Sequence, residues 1–390
     1  MSRNRERRVP PIPLLSAGHA CVDVYQGSVA ALVPYFVAER AYGYAAVSGV
    51  VLAASLLSSV AQPLFGALAD RRSVRWLLPA STLVSGVGVA LSGLWQSYAL
   101  TLAAVAVSGI GVAAYHPESA RVARAASGGG HSAMGWFALG GNLGFAAAPL
   151  LVAAVMAGAG LGGTPWLALP ALLGACASAV ALRTIAHDAP PIARPRTGRD
   201  DWPSFRRLTA AVICRSIVFV GLSTFVALHV RQRTGGGDLA GTAALAVLYL
   251  GGAIGTVAGG RLADRYGRIA VVRWSALLTV LAVTGVVVVP GPTVYAFVAL
   301  ASAGLYVPFS LHVTLGQDYL PSRVGTAGGV TLGLTAGIGG LATPLIGALA
   351  DATTLQVALA PLAVLPVVGV LFLRGLREPE PIRPVPAQRL

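Results

Sequence analysis

Gly66-Ala-Leu-Ala-Asp70-Arg71-Arg-Ser73-Val-Arg75 returns, little changed, as Gly260-Arg-Leu-Ala-Asp264-Arg265-Tyr-Gly267-Arg268, and this repetition decides how the chain is read. The two aspartates stand 194 residues apart. In each copy an apolar run of about twenty residues ends at the phrase and another begins shortly after it, the length that crosses a bilayer. The phrase reads as a loop between two membrane spans, used twice. A second landmark agrees: Gly144-Phe-Ala-Ala-Ala-Pro149-Leu matches Gly339-Gly-Leu-Ala-Thr-Pro344-Leu at an offset of 195. One duplication of half the chain explains both offsets, and internal repeats of this kind mark secondary transporters.

Composition supports a lipid-embedded chain. Of 390 residues, 55% are hydrophobic and only 11% charged, where a soluble domain carries about a quarter charged residues. Twelve apolar runs can be drawn, at 14–37, 45–69, 76–95, 98–116, 131–157, 166–186, 208–230, 239–263, 270–290, 293–316, 324–350 and 355–373. The expected fold is therefore all-α: twelve transmembrane helices in two six-helix, pseudo-symmetric halves. The divisions are a tail at 1–13, a bundle at 14–186, a proline- and arginine-rich linker at 187–207, a second bundle at 208–374 and a tail at 375–390.

The net charge of +14 raises the question of nucleic acid, and its placement answers it. All 28 basic residues are arginine, and if both termini are cytoplasmic, 24 lie inside, three outside (Arg40, Arg231, Arg233) and one, Arg215, within a span. That is the positive-inside bias, so charge reports topology and no nucleic-acid partner is expected. The basic N-terminus reads as a cytoplasmic tail rather than a signal peptide, because a full-length span follows without a small-residue cleavage site. Cys21, Cys176 and Cys214 fall within spans without CxxC spacing and read as small buried hydrophobes. The chain has no Walker phosphate loop, nucleophile elbow or zinc spacing, so it is read as no enzyme, with no cofactor and no metal.

Two six-span halves, each with a G-x-L-A-D-R-x-G-R phrase after its second span, resemble the major facilitator superfamily. Ser73 departs from the pattern, while Gly267 keeps it. Within that superfamily, Gly18–Gly27, Gln62–Gly66, Tyr115-His-Pro-Glu118, Gly140–Phe145, Arg215 with Gly221–Phe225, and Leu315–Pro321 are similar to the fosmidomycin resistance protein group of bacterial drug exporters. The resemblance implies a multi-pass protein of the bacterial cytoplasmic membrane, acting as a monomer on protons and a small molecule. Gly135, Gly144 and Ala148-Pro149 partly match the glycine-proline motif of drug/proton antiporters, which favours export. Rival readings are a proton symporter importing an anionic metabolite and a non-transporting membrane sensor.

Ionisable groups at bilayer depth cost about 2.5–3.5 kcal/mol or more and are functional candidates by default. His19 and Asp23 are four residues apart on one face of the first span, with Gln26 continuing the stripe. His116 and Glu118 follow Tyr115 around Pro117, which is expected to open the fourth helix near Ala113. His19, Asp23, His116 and Glu118 are expected to carry protons; a clamp between helices is the bland reading of the first pair, and Arg121 reads as a plain positive-inside charge. The superfamily's usual arginine on the fourth span is replaced by Val105, leaving Arg215 as the substitute, to pair with an acid or hold an anionic substrate with its planar fork. Asp23, Gln26, Tyr115, His116, Trp136, Phe137, Asn142, Arg215 and His312 form the expected substrate set. Asp70, Arg71, Arg75, Asp264, Arg265 and Arg268 are assigned to gating, as ties between helix ends that favour an acid at a helix N-terminus.

Overall fold

The computed structural model of the chain describes residues 11–71, 74–126, 131–185 and 199–379. Every regular element among them is helical: α1 Pro11–Arg40, α2 Tyr44–Arg71, α3 Leu77–Ser92, α4 Tyr98–Ala126, α5 His131–Ala159, α6 Leu169–Thr184, α7 Trp202–Thr234, α8 Gly237–Tyr266 and α9 Arg268–Val288, followed by α10 Val294–Tyr306, α11 Phe309–Tyr319, α12 Val324–Gly328, α13 Thr335–Ala352, α14 Leu355–Leu359 and α15 Leu365–Leu373. A 3₁₀ turn at Gly160–Ala168 leads into α6 as span 6. Two helices meet around Pro308 as span 10, a π turn at Gly329–Leu334 joins α12 to α13 as span 11, and a 3₁₀ turn joins α14 to α15 as span 12. Among the described residues nine stretches are long and apolar enough to cross a membrane; one, Met134–Thr184, holds two spans, and the shorter Leu77–Ser92 and Gly337–Ala352 complete twelve.

With no hydrophobic drive between helices in lipid, close backbone approach at small residues holds the bundle. A methyl group on Gly140 would collide with the Ser16 backbone, and one on Gly144 with the Ala20 backbone, so α5 lies directly on α1. The duplication can be read in these contacts. Gly339 of α13 meets the Ser216 backbone of α7, repeating the Gly144–Ala20 contact at offsets of 195 and 196. Likewise Gly111 packs on Ser81 and Ser85, and Gly304 on Ser275 and Thr279. The halves meet where α2 runs along α13 and α5 along α8.

The start of α1 and the end of α15 lie at one end of the bundle, as twelve crossings require, here the tail face; the opposite end is the far face. At the far face Asp351, the last acid of α13, takes the first N–H groups of α2: Tyr44 N–H donates to Oδ1 at 2.7 Å and Ala45 N–H to Oδ2 at 2.9 Å. Gln232 of α7 adds a bond to the Tyr44 hydroxyl at 3.0 Å. The first turn of a helix offers unsatisfied N–H groups and a positive dipole end, so a carboxylate from the other half is a cap as well as a tie.

The seventh helix starts earlier than the sequence suggested. Asp201 caps it by accepting from Ser204 N–H at 3.1 Å, so residues 202–207 are helix rather than linker. Residues 187–198 of the expected linker lie outside the described residues. Pro117 does not open α4, which continues as helix to Ala126.

Candidate functional site

Three ionisable groups meet where α1 crosses α4 and α5. His19 Nε2 lies 3.3 Å from Asp23 Oδ2, as the four-residue spacing predicts, and His116 Nε2 of α4 lies 3.1 Å from Asp23 Oδ1. His19 and Asp23 are buried, while the His116 side chain keeps 25% exposure. Each imidazole is fixed by its other nitrogen: His19 Nδ1 donates to Phe137 O at 2.9 Å and His116 Nδ1 to Val112 O at 2.8 Å. A carbonyl oxygen only accepts, so the Nδ1 proton is held and Nε2 of the neutral ring presents a lone pair to Asp23. Phe137 stacks on the His19 ring with centroids 4.3 Å apart. Gly141 leaves the cluster its room, since a methyl there would come within 2.7 Å of His19 Nε2.

Several expected members stand elsewhere. Glu118 is fully buried but pairs with Arg121 through both of its oxygens, three residues along the same helix, and makes no bond to His116. Arg121 is thus the counter-charge of a buried acid rather than a plain surface charge. Tyr115 is fully buried and packs behind the cluster, with Ser178 and Gly18 as neighbours. Trp136 is 63% exposed, on the outward stripe with Leu143 and Leu150, one helical step from Phe137 and turned away from it. Asn142 reaches across to Gly252 of α8 at the seam between the halves.

In the second half Arg215 takes the place that the cluster holds in the first. Its Nη1 donates to Leu305 O at 2.9 Å and its guanidinium sits over the Phe309 ring at 5.3 Å, yet Nε is buried without a partner. No acid among the described residues pairs with it, so the expected ion pair is not formed. His312 lines the same pocket, its Nδ1 also buried and unpartnered. Between the halves an open cavity is lined by Tyr25, Gln26 and Val29 of α1, Ser55 and Ser58 of α2, Phe145 of α5, Phe219 and Ser223 of α7 and Tyr249 of α8. Gln26 is the one expected substrate residue on its wall. Tyr306 packs on Gly252 and Gly255 of α8 and lies edge-on to Phe219.

The gating residues divide. Asp70 ends α2 with Arg71, and their side chains lie outside the described residues. Arg75 Nη1 donates to Ile185 O at 3.3 Å, inside the first half. Asp264 and Arg265 are exposed, and Asp264 makes no ion pair among the described residues. It occupies the last turn of α8, the negative end of the dipole, so the expected N-terminal acid is not there. Arg268 instead binds Asp318 at 2.6 Å and Glu378 at 3.1 Å, and Glu378 caps α9 through Ile269 N–H at 2.9 Å. These ties lie within the second half. Asp351 and Gln232 tie the second half to the start of α2 at the far face. Sequence reading passed over Asp351, although Gly347-Ala-Leu-Ala-Asp351 repeats Gly66-Ala-Leu-Ala-Asp70 letter for letter.

The sequence profile of the Major Facilitator Superfamily matches residues 15–344. The fosmidomycin resistance protein of Escherichia coli is 31% identical over 381 residues, covering 92% of this chain and 90% of that protein. The uncharacterized MFS-type transporter YfnC of Bacillus subtilis is 28% identical over 93% of this chain and 91% of its own length. Among solved structures, the nucleoside transporter NupG superimposes with a TM-score of 0.71 at 14% identity, covering 94% of this chain and 98% of that one. A bacterial homologue of the human lysosomal transporter Spinster, inward-facing and occupied, gives 0.74 at 16% identity, covering 93% and 95%.

Proposed function

This chain belongs to the Major Facilitator Superfamily, and from that premise we propose that it is a proton-coupled antiporter that exports small antimicrobial compounds, of the fosmidomycin type, by alternating access. As a superfamily member it is a multi-pass membrane transporter rather than an enzyme. The proposed setting is the bacterial cytoplasmic membrane, with both termini cytoplasmic as the arginine bias suggests, acting as a monomer.

The observation that carries the reading is the triad His19–Asp23–His116, buried at its first two members and reached at His116. With both Nδ1 protons held by carbonyls, each Nε2–carboxylate contact needs its own proton. Withdrawing one sets a lone pair against a carboxylate oxygen at 3.1 or 3.3 Å, which favours a ring turn and with it a helix shift. Protons therefore bias the conformation that a substrate in the neighbouring cavity also biases, and this shared preference is coupling. Arg215, buried with no acid, favours compounds bearing an anionic group. Asp351 closes the outward face and Arg268 orders the cytoplasmic end of the second half. Glu118, bound by Arg121, is left with a structural role.

Proteoliposomes holding a pH-sensitive dye test the reading. A compound against which expression confers resistance, fosmidomycin being the first to try, should drive protons in the direction opposite to its own movement. Movement of both in one direction would replace antiport with symport, and drug flux without proton flux would remove coupling altogether.

A further inference from the structure

The spacing of the sequence offered no metal site, because the ligand-bearing stretches are 97 residues apart, from His19 to His116. The fold brings them together. We propose that His19 Nε2, His116 Nε2 and a carboxylate oxygen of Asp23 bind a divalent transition-metal ion of the zinc class.

All three ligand atoms lie within 4.8 Å of one another. Two ligands at about 2.0–2.1 Å from a tetrahedral ion are about 3.3–3.4 Å apart. His19 approaches Oδ2 at 3.3 Å and His116 approaches Oδ1 at 3.1 Å, so with either oxygen as the ligand one edge already stands near that length. The other two edges are at most 4.8 Å, and closing them takes under about 1 Å from each ring with a turn of the Asp23 carboxylate.

The second shell is in place. Metal-binding imidazoles donate their other N–H to a carbonyl or carboxylate, which fixes the tautomer and the ring plane. Here both do so, to Phe137 O and Val112 O. Asp23 Oδ1 is buried with no well-directed hydrogen bond, so its lone pairs are available. Two imidazoles and one carboxylate suit zinc, cobalt or nickel and disfavour magnesium or calcium, which take all-oxygen shells. Three protein ligands leave the fourth position to water or a bound compound, and access runs past His116.

The site shares its residues with the proton-coupling reading but not its test. Full-length protein without a histidine tag, purified in detergent and stripped with chelator, would be titrated with cobalt chloride and then zinc chloride, without gradient or drug. The expected result is one ion per chain, visible absorption bands of tetrahedral cobalt, displacement by zinc, and at least tenfold weaker binding in Asp23→Asn and His116→Gln. Gly141→Ala keeps every ligand and crowds the cluster, so it should weaken binding while the protein stays folded by thermal melt. Absence of cobalt bands in the wild type, or binding unchanged in Asp23→Asn, overturns the site. Proton flux in liposomes is read separately, so the fate of one reading does not decide the other.

Discussion

Helices α1 and α7 are copies in register, shown by the equivalent contacts Gly144–Ala20 and Gly339–Ser216, and that register sets His19 against Arg215 and Asp23 against Phe219. Both copies kept a basic group at the same depth, and only the first kept an acid four residues on. The first half therefore carries its own counter-charge and sites whose protons can exchange. The second carries a permanent cation whose only polar bond among those described is to Leu305 O. On the proposed function, duplication supplies a symmetric rocker and the chemistry comes from breaking the symmetry, one half taking protons and the other an anion.

The largest test of this contrast removes the acid. Asp23→Asn keeps size and hydrogen-bonding shape, and pH-gradient-driven transport should fall to background with a thermal melt little changed; retained coupling would move the proton site elsewhere. Next comes the cation. Arg215→Gln should weaken binding of anionic compounds by about 10- to 100-fold, equivalent to about 1.4–2.8 kcal/mol, while neutral compounds are spared; equal losses for both, measured by calorimetry, would make Arg215 structural. Phe219→Asp sharpens the comparison by giving the second half the acid it lacks. It lies on the same helical face as Arg215, and an internal partner should compete with anionic substrates and weaken them about tenfold. The smallest effect is expected at the far face, where Asp351→Asn loses the charge on a cap worth about 1 kcal/mol. That should shift the balance of open and closed states about fivefold, read as faster labelling of a cysteine placed in the cavity from the outside.

The fold was legible because its signals are local and repeated. The duplicated loop phrase and the duplicated glycine-proline stretch survive as letters, and helices in lipid need their glycines where backbones touch. The site was legible only in part. His19 with Asp23 followed from helical spacing, but His116 reached Asp23 through the crossing of α1 and α4. Glu118 was drawn to Arg121, a neighbour on the same helix, which a reading that paired it with His116 had set aside. Trp136 and Phe137 differ by one residue, hence by about 100° around the helix, and only the second faces His19. The gating acid was sought at the loop phrase, where the Asp70 side chain lies outside the described residues, while among the described residues Asp351 ties the halves at the other end of the bundle.

Proton release on drug binding is the most direct measurement of the central claim. A compound against which the protein confers resistance would be added to purified protein in weakly buffered detergent solution, and the pH change recorded. The account predicts release of protons by the wild type and none by Asp23→Asn. Proton uptake by the wild type, or equal release by both, would contradict it.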